Sequence, residues 1–307
     1  MIETQSLTRH FGKRLAVDGV SMTVPDKAVY GFLGRNGAGK TTTLKMLLGL
    51  IRPDSGTAKI CGIDVSQDRI GAARKIGALL EAHGFYANLS GQENLELTRR
   101  LLGVAPSEID RVLDVVDMTA NAARRVGQYS LGMKQRLGLA RAMIGAPPVL
   151  ILDEPTNGLD PDGIADMRAF LKTLPERTGA TVLLSSHLLG EIEQIASHVG
   201  IIHEGRLMLE GDLAQLKAGL APQITVDTDD PARVSALATG RGFAVSQDAG
   251  RVVAKLKPGD DARTAAATLN RALNEAGIAV FSIGPSARTL EGIYRDVSAP
   301  TTNKEAA

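Results

Sequence analysis

The sequence predicts an α/β chain: a phosphate-loop fold with a mixed sheet and a helical subdomain, followed by a small α+β domain of ferredoxin-like order. Three observations carry this. A glycine-rich loop, Gly34-Arg35-Asn36-Gly37-Ala38-Gly39-Lys40-Thr41-Thr42, lies between an apolar strand-like run and a helical one. A second apolar run, Val149-Leu150-Ile151-Leu152, delivers two adjacent acids, Asp153 and Glu154. From Gln223 onward the pattern changes to βαββαβ.

The N-terminal stretch, residues 2–24, alternates apolar and polar positions up to the turn at Pro25-Asp26, which predicts an antiparallel pair with Phe11 in the loop between its strands. There Phe11 either stacks on a purine or is a partly buried loop residue. The run Val29-Tyr30-Gly31-Phe32-Leu33 then enters the glycine loop. Its glycines let consecutive N–H groups and the positive end of the following helix face phosphate oxygens. Lys40 reaches the β- and γ-phosphates of a nucleoside triphosphate, and the Thr41 hydroxyl is a ligand for Mg²⁺.

Residues 57–61 read as a short strand, and residues 76–81 as a buried strand ending on Glu81. Ser90 and Glu93 have capping-box spacing, and Ser107 is placed to cap a second helix, so a helical block spans about residues 90–145. Ser130 opens its last helix, whose N-terminus can face an anion; Pro147-Pro148 ends the block. The run from Val149 to Leu152 is a core strand buried on both faces. Of the acids it delivers, the first can hold Mg²⁺ and the second can orient or deprotonate a water. Asp160 before Pro161 starts a helix, and residues 181–186 form another buried strand ending at His187, where ligands meet an open α/β sheet. His10, His83, His198 and His203 have no metal-ligand spacing.

Composition sets the class. The chain has 307 residues, 44% apolar and 22% charged, with a formal charge of +1. Neither a basic footprint nor an aromatic platform for nucleic acid is visible. Cys61 is the single cysteine, which excludes an intrachain disulfide and fits a reducing compartment. No N-terminal signal pattern and no apolar run of about 18 residues is present, so a membrane role is expected through a partner.

Taken in order, these motifs make residues 2–220 resemble the nucleotide-binding subunit of ATP-binding-cassette (ABC) transporters, a P-loop NTPase cassette. The resemblance implies an ATP hydrolase using ATP and Mg²⁺. It assigns Phe11 to adenine stacking and Gly34, Asn36, Gly37, Ala38, Gly39, Lys40, Thr41 and Thr42 to the phosphate loop. It makes Tyr129-Ser130-Leu131-Gly132-Met133 the signature, whose Ser130 and Gly132 contact the γ-phosphate held by an opposite copy. Thr41, Asp153 and Glu81 fall at Mg²⁺ positions, Glu154 at the catalytic base, and His187 at the γ-phosphate switch. Asp160 closes the intersubunit loop 157–160. Two departures stand out: Leu131 and Met133 replace the signature's usual glycine and glutamine, and Glu81 stands where glutamine is most frequent. The segments 79–95 and 129–136 are similar to the bacitracin-resistance and peptide-antibiotic exporter branch. That implies a second copy of the chain as partner, a separate permease of about six spanning helices, and a site at the inner face of the cell membrane. The other readings are a soluble ATPase of the same fold in DNA repair or translation, which lacks its expected coiled-coil insertion or second cassette here, and a phosphate-loop kinase or GTPase, to which the signature and His187 are foreign.

Domains are expected at 1–220 and 221–297, with a disordered tail over 298–307. The small domain is a ligand sensor, a dimer brace or a structural appendage.

Overall fold

A computed structural model describes residues 1–80, 84–218, 222–248, 250–257, 260–286 and 289–298. The chain divides into two compact units, the first running from Met1 to Leu213 and the second spanning Ala214–Asp296.

In chain order the first unit has β1 (Ile2–Phe11), β2 (Arg14–Val24), β3 (Val29–Leu33), α1 (Lys40–Leu47), β4 (Ser55–Ile60), β5 (Ile63–Asp64), α2 (Arg69–Ala73) and β6 (Ile76–Leu79). The helical segment follows with α3 (Gly91–Leu102), α4 (Ser107–Val115) and α5 (Leu131–Met143). Then come β7 (Val149–Asp153), α6 (Pro161–Thr178), β8 (Thr181–Ser186), α7 (Leu189–Ile195), β9 (His198–His203) and β10 (Arg206–Asp212), and α8 (Leu213–Ala218) crosses the boundary.

Two sheets share one core. The antiparallel sheet runs β2-β1-β4-β5, and the six-stranded sheet runs β10-β9-β3-β8-β7-β6. In the latter β9 through β6 are parallel and β10 is antiparallel at the edge, so the sheet is mixed as expected. Every residue of β3, β7 and β8 is buried, which is why these strands read as unbroken apolar runs. Ile2, Val20, Phe32, Leu44, Ile151 and Leu183 bring both sheets and α1 into one apolar cluster.

Three local expectations change. Phe11 is the last residue of β1, paired with Arg14, because the hairpin turn is only Gly12 and Lys13. Pro106 stands at the N-cap of α4 without a side-chain cap and Ser107 is the first helical residue. Strand β6, expected as a buried strand over 76–81, covers Ile76–Leu79 and is an edge strand of alternating burial packed by α5. The capping box is present: Ser90 Oγ accepts the Glu93 N–H at 3.1 Å and Glu93 Oε2 accepts the Ser90 N–H at 2.7 Å.

The second unit contains β11 (Gln223–Thr228), α9 (Pro231–Gly240), β12 (Ala244–Asp248), β13 (Arg251–Lys255), α10 (Ala262–Glu275) and β14 (Val280–Ser286), and α11 (Leu290–Ser298) runs past its end at Asp296. Its sheet is antiparallel in the order β12-β13-β11-β14, the split βαβ arrangement. Ile224, Val226, Val234, Val252 and Leu269 form its own core with α9 and α10. Of the tail expected over 298–307, Ser298 is the last residue of α11 and residues 299–307 lie outside the described residues.

A polar tie joins the two sheets of the first unit. Tyr30 of β3 is fully buried and its hydroxyl donates to Glu210 Oε1 of β10 at 2.8 Å; the same oxygen accepts the Thr23 N–H of β2 at 2.7 Å. Burial first, and then the Glu210 carboxylate, push the phenol well above its ordinary pKa, so it remains a donor. Tyr30→Phe is expected to lower the unfolding free energy by about 1–2 kcal/mol, read from urea midpoints at unchanged slope.

Candidate functional site

The register of three neighbouring strands builds the site. Leu33 of β3 pairs with Ser186 of β8, and Asp153 of β7 pairs with Ser185, so the loop after β3, the acids after β7 and His187 after β8 emerge at one level of the sheet. This is the carboxyl edge of parallel strands, where ligands of α/β proteins bind.

The loop between β3 and α1 turns at Gly37 and Gly39, with φ of 82° and 108°. Gly34 is needed for another reason: a Cβ there would lie 2.5 Å from the Ile202 carbonyl oxygen and 2.8 Å from Ile202 Cγ2. β9 therefore packs directly on the loop's first residue. Ala38 is buried beneath the loop. Lys40, also buried, donates to the Gly34 carbonyl at 2.6 Å and pairs with Glu154 Oε1 at 3.3 Å. Above them is a cavity of about 480 Å³, lined by Asn36, Gly37 and Gly39 of the loop and by Lys40, Thr41 and Thr42 of α1. Phe11, Arg14, Ala16, Arg35 and Glu154 also line it. Phe11 is 46% exposed, and the Arg9 guanidinium lies 5.1 Å from its ring centre.

The acids are held individually. Asp153 is buried; its Oδ2 accepts from Thr41 Oγ1 at 3.0 Å and its Oδ1 from Ser185 Oγ at 2.5 Å. Thr41 and Asp153 thus bring two hard oxygen donors together beneath the loop, a set that fits Mg²⁺. Glu154 has a φ of 51°, a left-handed conformation that costs a non-glycine residue about 1–3 kcal/mol. Its carboxylate lies between the Lys40 ammonium and His187 Nδ1, the latter 2.6 Å from Oε2. Glu81 lies outside the described residues.

The signature forms a separate groove. Ser130 caps α5 by accepting the Met133 N–H at 3.2 Å, and Asp160 caps α6 by accepting the Gly163 N–H at 2.9 Å. Ser130, Gly132, Met133, Leu159 and Asp160 line a cavity of about 530 Å³. Among the described residues none lines both this groove and the cavity at Lys40. One chain therefore groups Phe11, the loop, Asp153, Glu154 and His187, and leaves Ser130, Gly132 and Asp160 elsewhere. Thr156, between the two groups, is buried and donates to Glu191 Oε2 of α7 at 2.8 Å.

Sequence reasoning missed Ser185 and Arg14. The only signal for Ser185 was a polar pair ending an apolar strand, Leu184-Ser185-Ser186. Arg14, whose Nη2 donates to the Gly37 carbonyl at 3.3 Å, had none.

Comparison with known proteins now decides the family. The family described as ABC transporter matches residues 17–157. Bacitracin transport ATP-binding protein BcrA of Bacillus licheniformis is 48% identical over 218 residues, 71% of this chain and 71% of that protein. The chain belongs to the ABC transporter ATP-binding proteins. This ABC ATPase is also similar along nearly its whole length to the uncharacterized ABC transporter ATP-binding protein YdbJ of Bacillus subtilis (strain 168), 33% identical over 306 residues, 99% of this chain and 97% of that one. The dimeric structure of MJ0796, a bacterial ABC transporter cassette, superposes with a TM-score of 0.62 at 25% identity, covering 69% of this chain and 99% of the other. The ABC ATPase binds and hydrolyses ATP as a transporter subunit. Among its described residues no helix is long and apolar enough to cross a membrane.

The close approach at Gly34 generates a test. Gly34→Ala forces a methyl against the Ile202 carbonyl, and overpacking of this kind costs about 1–3 kcal/mol. Expected are a lower melting temperature and weaker binding of a fluorescent ATP analogue, measured together.

Proposed function

We propose that this ABC ATPase drives export of a peptide, antibiotic or other amphiphile by opening and closing a head-to-tail dimer on a separate permease. The observation that carries the dimer is the separation of the two grooves, which share no lining residue among those described, so Ser130 and Gly132 would reach a nucleotide on Lys40 from a second copy. The dimeric MJ0796 cassette supports the same reading. Export of a peptide antibiotic is supported by the similarity to BcrA, named for bacitracin transport.

Within one copy, Phe11 would stack on the adenine, and the amides of residues 34–42 with Lys40 would hold the phosphates. ATP would compete with Glu154 for the Lys40 ammonium and release the carboxylate. Glu154 then acts as general base toward water, and His187, already in contact with Glu154, senses the γ-phosphate. Thr41 and Asp153 would hold Mg²⁺, with Glu81 as a further candidate; when bound the ion neutralises phosphate charge. Asp160 keeps its capping bond and offers its second oxygen to the intersubunit contact.

The permease, of about six spanning helices, would meet the exposed groove of about 530 Å³ lined by Phe85, Tyr86, Leu97 and Leu101, where Tyr86 and Leu101 expose apolar surface to solvent. That contact would hold the chain at the cytoplasmic face of the membrane. Residues 221–297 are an accessory domain outside the nucleotide site, and nothing in the site calls for nucleic acid.

Two tests follow from these roles. Phe11→Ala is expected to weaken ATP binding by about tenfold, since loss of one aromatic stack is worth up to about 1.4 kcal/mol, while Mg²⁺ dependence is unchanged. Glu154→Gln is expected to slow hydrolysis by about 10²–10⁴-fold with ATP affinity retained, and to accumulate as an ATP-bound dimer in size-exclusion chromatography with light scattering. Lys40→Ala is expected to lose ATP binding and to stay monomeric. A Glu154→Gln protein turning over at the parent rate would remove the assigned base.

A further inference from the structure

The acid pair after β7 is governed by one buried hydroxyl from the neighbouring strand. Ser185 is fully buried in β8 and lies beside Asp153 in the parallel register. Its Oγ donates to Asp153 Oδ1 at 2.5 Å and accepts the N–H of Glu154 at 3.0 Å. Ser186, next in the chain, bonds elsewhere. Its Oγ accepts the Leu188 N–H at 2.9 Å, closing the turn that carries His187.

The two bonds of Ser185 act on different groups. With Thr41 donating to Oδ2 and Ser185 to Oδ1, both oxygens of Asp153 have a hydroxyl partner, which fixes the carboxylate's rotation. The bond from the Glu154 N–H fixes the peptide plane entering a residue in left-handed conformation, and so sets the direction of the Glu154 side chain. A single atom must donate to one neighbour and accept from the other, and among side chains of this size only a hydroxyl does both well.

We propose that Ser185 is a positioning residue for ATP hydrolysis, orienting Asp153 toward the metal and Glu154 toward the attacking water through these two bonds. The proposal rests on the roles assigned above to Asp153 and Glu154. Lys40 and the loop amides make no bond to Ser185, whose one link to Lys40 among the bonds described runs through the Glu154 pair that phosphate displaces, so metal-free nucleotide affinity should change little with it.

The test compares Ser185→Ala with Ser185→Thr, which retains the hydroxyl, and with Ser185→Cys, which keeps the volume and serves should the alanine protein not fold. For Ser185→Ala, kcat should fall by about tenfold, the effect expected of leaving a buried polar group unpaired, while KM for ATP changes by less than about twofold. The Mg²⁺ concentration that half-saturates binding of a fluorescent ATP analogue should rise by about threefold or more, and metal-free binding of the analogue should be unchanged. Ser185→Thr should restore kcat and the Mg²⁺ half-saturation to near the parent values. Alanine and cysteine proteins with parent kcat and parent Mg²⁺ dependence would overturn the proposal. So would a folded threonine protein as defective as the alanine one, because packing would then explain the loss. If Glu154→Gln hydrolyses at the parent rate, the base assignment falls, but the Mg²⁺ dependence of analogue binding acts through Asp153 and still decides for or against Ser185.

Discussion

The whole site depends on the alignment of β3, β8 and β7. Hydrogen-bonded parallel strands cannot slide along their axes without breaking the ladder between them, so a fixed register fixes where each strand stops. Here Leu33, Ser186 and Asp153 end their strands side by side, and the loops that follow must converge. Lys40 and Glu154 then meet at 3.3 Å although the strands that lead to them are not adjacent, since β8 lies between β3 and β7. Displacing one strand by a residue would turn Asp153 or Ser185 to the other face and dissolve the site.

Burial explains why this register is stable. Strands β3, β7 and β8 are covered on both faces, and their apolar side chains leave no alternative pairing that keeps the same volume out of water. Polar groups beside the site are matched in the way buried polar groups usually are: Tyr30 by Glu210, the half-buried Thr41 by Asp153, and Ser185 by Asp153 and Glu154. Between the two grooves the matched pair Thr156 and Glu191 ties the loop after β7 to α7, so the segment running from Glu154 to Asp160 is anchored at its middle.

Much of this is legible in the chain alone. Unbroken apolar runs mark β3, β7 and β8, and the glycine spacing marks the loop, because both signals are local. The capping box at Ser90 and the cap at Asp160 are readable for the same reason. The departures have physical causes. Phe11 looks like a loop residue, but a two-residue turn keeps it in the strand. Ser107 has a good capping side chain, yet Pro106 precedes it and holds the cap position. β6 is apolar enough for a core strand and lies at the edge, a matter of strand order that no local pattern encodes. The role of Ser185 cannot be read from its polar pair alone, because its partners are 31 and 32 residues away in the chain and are set by register.

The left-handed backbone of Glu154 has an evolutionary side. Glycine, asparagine and aspartate adopt that conformation with less strain than glutamate. At this position, random substitution toward those residues gains conformational ease at the moment it discards the long carboxylate. With Glu154 as the proposed base, selection for hydrolysis acts against a drift that backbone strain favours. A lineage released from transport would be expected to lose Glu154 early, before the loop or the core, and to leave silent cassettes that fold at least as well as their working ancestor.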